Sequence, residues 1–169
     1  MRKVGSLIVV GVMALFLSAC GESEKEEIIS LHESFHDLTD GAEDKMEEAE
    51  EAFMQYINGT IDESEFNDMK DDLNDYVSDK KDELDDIDKP KKDKAIEYYD
   101  ISTKALTGAF NIIEDVMDVP DLTDEEAVME YGQGLEEKVN EIDDDMQAVQ
   151  DFQDDLKEED DDYKDAFDD

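Results

Sequence analysis

His32-Glu33-Ser34-Phe35-His36 places two imidazoles four residues apart, with a carboxylate directly after the first. On a helix this spacing puts both rings on one face, where they can share a Zn²⁺ ion while the glutamate activates a metal-bound water. Further on, Asn58-Gly59-Thr60-Ile61-Asp62-Glu63-Ser64-Glu65-Phe66 carries glycine, isoleucine and glutamate at offsets that suit a calcium loop. Such a loop also draws oxygens from its first and third positions. Those positions hold Met54 and Tyr56, so a standard site does not form. The runs Asp143-Asp144-Asp145 and Asp160-Asp161-Asp162 could attract Ca²⁺ or Mg²⁺ weakly, although a charge run is normally a solvated face. Neither a glycine-rich phosphate loop nor a serine nucleophile setting occurs.

The histidine motif resembles the zincin signature, and Ile29 and Leu38 are apolar where that pattern wants them. Asp37 puts a charge where the pattern expects none. The metzincin extension needs Gly at position 39 and His at position 42, which hold Thr39 and Ala42. If the chain matures at Cys20, as argued below, too few residues precede His32 for the strands that zincins place before this helix. His32 and His36 are therefore read as two histidines beside the Leu31/Phe35/Leu38 stripe, ahead of an adventitious metal site and of zinc peptidase chemistry. The Gly59 segment resembles the back half of an EF-hand loop, and also a short helical hairpin of the SHOCT kind. Its parts have plain structural jobs: Gly59 stops one helix, Ile61 packs underneath, and the acidic residues cap the next helix.

The elements that position these residues begin with Met1-Arg2-Lys3, a positive start followed by an apolar run from Leu7 to Leu17. That is the length of a signal-peptide core, and short of the roughly 20 residues a permanent span needs. It closes on Leu17-Ser18-Ala19-Cys20, which resembles the lipobox of bacterial lipoproteins. The resemblance implies cleavage between Ala19 and Cys20, a diacylglycerol on the Cys20 sulfur, and often a further acyl chain such as palmitate on the new amino group. Each buried methylene contributes about 0.8 kcal/mol, and two chains anchor stably where one does not. Cys20 is the only cysteine, so no intramolecular disulfide can form.

Acidic residues number 54 against 15 basic ones, a formal charge of −39, and loss of Arg2 and Lys3 with the leader makes it two more negative. That balance opposes compaction and argues against nucleic-acid binding, which needs basic surface. It also repels anionic lipid and wall polymers unless divalent cations bridge. Apolar periodicity decides against disorder. Ile28, Leu31, Phe35, Leu38, Ala42, Met46, Ala49, Phe53 and Tyr56 recur at threes and fours, one stripe of a long first helix. Asp40-Gly41 with Glu43 marks a kink or restart in it.

Asp62 with Glu65 starts a second helix carrying Phe66, Met69, Leu73, Tyr76, Leu84 and Ile87, and Pro90 separates it from a third. The third, over 91–118, has the widest apolar face, including Ala95, Ile96, Tyr99, Leu106, Phe110 and Ile113, and should be the most buried. Tyr98 is read as core by default, or as lying outside that face and serving a partner. Thr123 with Glu126 caps a fourth helix running through Val128, Leu135, Val139, Met146, Val149, Leu156 and Tyr163.

The expected fold is all-α, an antiparallel bundle of about four long amphipathic helices after a lipoprotein signal peptide. The expected divisions are 1–19 signal peptide, 20–157 helical bundle and 158–169 an acidic tail that frays. The first and fourth helices, roughly 55 and 60 Å against about 40 Å for the middle pair, should form a two-helix stem beneath a four-helix head. In layout the chain resembles small helical cell-wall-binding lipoproteins of Gram-positive bacteria. The expected role is non-catalytic: an envelope adaptor, spacer or cell-wall-associated binding protein held through Cys20 at the extracytoplasmic face of the cell membrane. Its expected partners are an envelope protein or wall glycan, with weak Ca²⁺ or Mg²⁺, no cofactor and no nucleic acid. A low-affinity divalent-cation-binding module is the second reading.

Overall fold

The computed structural model describes residues 23–167, all of them in helices or the turns between them. Leu17, Ser18, Ala19 and Cys20 lie outside the described residues. The first helix, α1, spans Glu24–Thr39. Ser23 Oγ accepts the Glu26 N–H at 3.2 Å, and Glu26 returns a carboxylate oxygen to the Ser23 N–H at 2.7 Å. This reciprocal cap satisfies two donors that a helix start leaves open. Its inward face is Ile28, Leu31, Phe35 and Leu38.

The single long first helix expected over this region is two. Gly41 takes a left-handed φ of 77°, accessible to glycine without Cβ strain, and α2 restarts as Ala42–Ile57 with no side-chain cap. Five helices of 16 residues or more are therefore present among the described residues, where four were expected. The apolar stripe continues across the break, because Ala49 and Ala52 are fully buried.

Gly59, with φ 65°, ends α2 as expected. The Thr60 N–H donates to Gln55 O and the Gly59 N–H to Tyr56 O, both at 2.9 Å, the paired closure of a Schellman turn. Asp62 and Glu65 then cap α3, Glu63–Asp85, reciprocally. α4 spans Asp93–Val116 and buries eight residues, more than any other helix described. α5 spans Glu125–Glu159. Its cap is Asp124, one residue past the expected Thr123, because Asp121 already accepts both the N–H and the hydroxyl of Thr123.

Cross-helix pairs fix the directions. Tyr56 stacks on Phe66 while Lys45 lies over Tyr76, so α2 and α3 run antiparallel. Lys104–Asp145 and Lys138–Asp115 set α4 antiparallel to α5. The α1 start does not project as half of a stem. Glu24 and Glu27 accept backbone N–H groups of Lys94, Lys91 and Lys92, which holds it level with the start of α4. The extra length of α5 extends at the opposite end, where the Tyr131 hydroxyl donates to Val116 O at 2.7 Å. Burial, with Asp115 and Asp118 nearby, pushes the Tyr131 phenol up to about 12.

The acidic C-terminal stretch does not fray as expected. Asp161–Phe167 forms a short helix, α6, which turns back against α1. Tyr163 is buried, Phe167 joins the core edge, and Lys25 pairs with Asp160 and Asp162. Two aromatic anchors and one shared lysine outweigh the charge around them. At backbone level α5 approaches only α4 and α6; side chains such as Gln153–His32 and Phe53–Tyr131 bridge it to the α1–α2 pair and leave a small opening between them.

Candidate functional site

The polar cluster nearest that opening is built on α4. Tyr98 points inward at 1 % exposure, which overturns the idea that it lies outside the apolar face. Tyr99 is only half-buried. Small residues decide between them: Ala95, Ser102 and Ala105, three, four and seven residues from Tyr98, are all buried and leave room for its ring. Phe35 and Phe152 pack that ring at centroid distances of 6.0 and 5.7 Å.

The amide Nε2 of Gln153 donates to the Tyr98 hydroxyl oxygen at 2.9 Å and reaches His32 Nδ1 at 3.4 Å. Tyr98 Oη lies 3.0 Å from the same His32 Nδ1. With Gln153 donating to its oxygen, the Tyr98 hydroxyl keeps its own proton for His32 Nδ1, an arrangement that suits the tautomer protonated at Nε2. Burial, then the neighbouring His36, hold His32 below its ordinary pKa and keep it neutral. Burial raises the Tyr98 phenol, against the opposing pull of Gln153.

His32 and His36 share a helix face as their spacing requires, with ring centroids 6.4 Å apart and planes 23° from parallel. Nearly parallel rings do not converge on one ion. His32 Nδ1 is taken by Tyr98, Phe167 meets the His32 ring edge-on at 4.7 Å, and Glu33 points into solvent. Among the described residues no three His, Cys, Asp or Glu side chains are grouped closely enough to hold a metal ion. The residues present do not assemble the donor set of a zinc site.

The calcium-like segment is spent on backbone. Asp62 Oδ1 accepts the Ser64 and Glu65 N–H groups, and Glu65 accepts the Asp62 N–H. Ile61 packs beneath the turn against the core. Of the acidic runs, Asp145 pairs with Lys104, Asp161 with Lys164, and Asp160 and Asp162 with Lys25.

The residues missed in the sequence are Gln153 and Ser102. Their signal was a polar side chain in an apolar slot: Met146, Val149, Gln153 and Leu156 step by three and four, as do Tyr98, Ser102 and Ala105. A cavity of about 180 Å³ adjoins the cluster, lined by His36, Thr39, Ser102, Leu106, Met146 and Val149 among others. Among the described residues no helix is long and apolar enough to cross a membrane. No protein family matches the chain, and no curated protein or solved structure matches it either.

Proposed function

We propose that the protein is a lipid-anchored helical lipoprotein of the bacterial cell surface, non-catalytic, which offers helix faces to another envelope component as an adaptor or spacer. The observation that carries this reading is Leu17-Ser18-Ala19-Cys20 at the end of a short apolar run. Cys20 stands three residues before Ser23, the cap of α1, so acyl chains on its sulfur would hold the bundle close to the bilayer. The end carrying Ser23, Pro90 and Glu159 would then face the membrane, and the Gly59 turn and the α4–α5 loop would face outward. The non-catalytic part rests on a polar cluster whose principal groups are engaged with one another: Tyr98 bonds His32 and Gln153.

The test is metabolic labelling with an alkyne analogue of palmitate, followed by membrane fractionation. The wild-type chain should take label and sediment with membranes, and Cys20→Ala should lose both properties. Unlabelled, soluble wild-type protein would sink the anchor. Crosslinking in intact cells should enrich one envelope protein or glycan; a clean capture with none would sink the adaptor role.

A further inference from the structure

The opening beside α5 is a trough. Its floor is α4 at Ser102, Ala105 and Leu106, its walls are α1 at His36 and Thr39 and α5 at Met146 and Val149. One end is stopped by Phe167 of α6, which touches His32 and Tyr98. The other is stopped where Phe53 of α2 meets Tyr131 of α5, at 6.3 Å between centroids. Between the stops the α5 wall leaves Val139 44 % and Met146 51 % exposed. Leu135, Ile142 and Val149, on the same helix, are at least half covered.

The rims have one sign. Glu33 precedes His36 by three residues, and Glu136 and Asp143 precede Val139 and Met146 by three, so each sits beside the trough on its helix. All three are exposed. The nearby lysines of α2, α4 and α5 are paired with acids of their own: Lys45 with Glu48 and over Tyr76, Lys104 with Asp145, Lys138 with Asp115, and Lys157, which lies near His32, with Asp154. α6 shows the mode of docking in miniature. It lays aromatic residues four apart, Tyr163 and Phe167, into one end of the trough, and charge pairs with Lys25 hold its start.

We propose that the open stretch of the trough is a docking site for a cationic amphipathic helix of a partner protein. Apolar residues of that helix would enter between His36 and Met146, and lysines or arginines would meet Glu33, Glu136 and Asp143. Val139 and Met146 stand seven residues apart on α5, about 10 Å or two helical turns, the spacing over which a docked helix presents one apolar face. A second copy of this chain is the wrong occupant, because it would bring another strongly acidic surface, −39 overall, against rims that are already acidic. This inference names the partner chemistry for the adaptor reading and rests on it.

The probe is a synthetic peptide of about 14 leucines and lysines, with leucines on one helical face. Its control has the same composition with leucines scattered around the helix. By fluorescence anisotropy on the purified full chain, the amphipathic peptide should bind about tenfold more tightly than the control, and weaken by about tenfold or more between roughly 0.15 and 1 M NaCl. The exposed double substitution Val139→Gln/Met146→Gln should abolish the preference and leave the circular dichroism of the bundle unchanged. Equal binding of the two peptides, or a preference that survives the double substitution, would overturn the site. So would a dimer in sedimentation that the double substitution dissociates. This measurement needs neither lipid nor cells, so a failed labelling or crosslinking result and a failed groove are told apart.

Discussion

Glu27 of α1 accepts the backbone N–H of Lys92, the residue before α4, at 3.1 Å, and the same oxygen accepts the Lys91 N–H at 3.0 Å. Lys92 supplies no side-chain cap, so α4 borrows its cap from another helix. That converts a local requirement of α4 into a register between α1 and α4. Glu27→Ala should cost about 1 kcal/mol, the ordinary worth of a helix cap, and lower the melting temperature by about 2–4 °C. Glu27→Gln, which keeps an accepting oxygen, should recover part of the loss in urea titrations. An unchanged midpoint in Glu27→Ala would mean that water caps these groups equally well.

The neutral state of His32 makes stability depend on pH. In the unfolded chain its imidazole protonates near 6.5; in the fold, burial and His36 push that lower, with Lys157 adding to the effect and Glu33 opposing it. The unfolded state therefore binds more protons in this window. The contribution of His32 is complete above pH 6.5 and is lost as pH falls through the folded value. Between about pH 7.5 and pH 5 the urea midpoint of the wild type should fall relative to that of His32→Gln, whatever change the carboxylates impose on both. Equal slopes in the two proteins would refute the assignment.

Glycines in the two longest helices should respond with opposite signs. A Cβ on Gly108 of α4 would sit 2.9 Å from Ile142 Cγ1 of α5, closer than carbon atoms pack. Gly108→Ala gains helix propensity of about 1 kcal/mol but incurs overpacking of about 1–3 kcal/mol, so a net loss is expected. Gly132 and Gly134 have nothing within 4 Å of such a Cβ. Alanine there should stabilise by about 0.5–1 kcal/mol each. Thermal melts of the three single variants measure the contrast, and stabilisation by Gly108→Ala would show that α5 yields at Ile142.

Salt should stabilise the bundle. Exposed pairs such as Lys104–Asp145 and Lys138–Asp115 contribute about 0–1 kcal/mol each and weaken on screening. Repulsion within a chain of charge −39 is screened as well, as the Debye length shrinks from about 10 Å at 0.1 M to about 3 Å at 1 M. The second effect involves far more pairs, so the melting temperature should rise with NaCl up to about 1 M. A flat or falling curve would give the ion pairs the larger share.

Much of the fold was legible because the signals are local. The Gly59 stop and the Asp62/Glu65 cap each depend on residues within one or two turns, and each is where the spacing puts it, whereas the α4 stripe is there but turned to bury Tyr98 in place of Tyr99. The Asp40-Gly41 break was legible as a signal, but whether it bends one helix or makes two depends on how α1 and α2 pack on their neighbours. The candidate site was legible only in half. His32 and His36 stand out by type, whereas Gln153 reads as a surface residue until Tyr98, 55 positions away, gives it a partner.

The sequence by itself determined helices and their limits, the excess of acid, and the expectation of a lipid at Cys20. Backbone hydrogen bonding and capping operate over a few residues, and charge is a sum. Tertiary structure alone decided that Tyr98 rather than Tyr99 points inward, that the acidic C-terminal stretch packs through Tyr163 and Phe167, and that α5 meets α1 and α2 through side chains only. Those outcomes turn on which distant surfaces are buried together, and helical periodicity carries no information about distant surfaces.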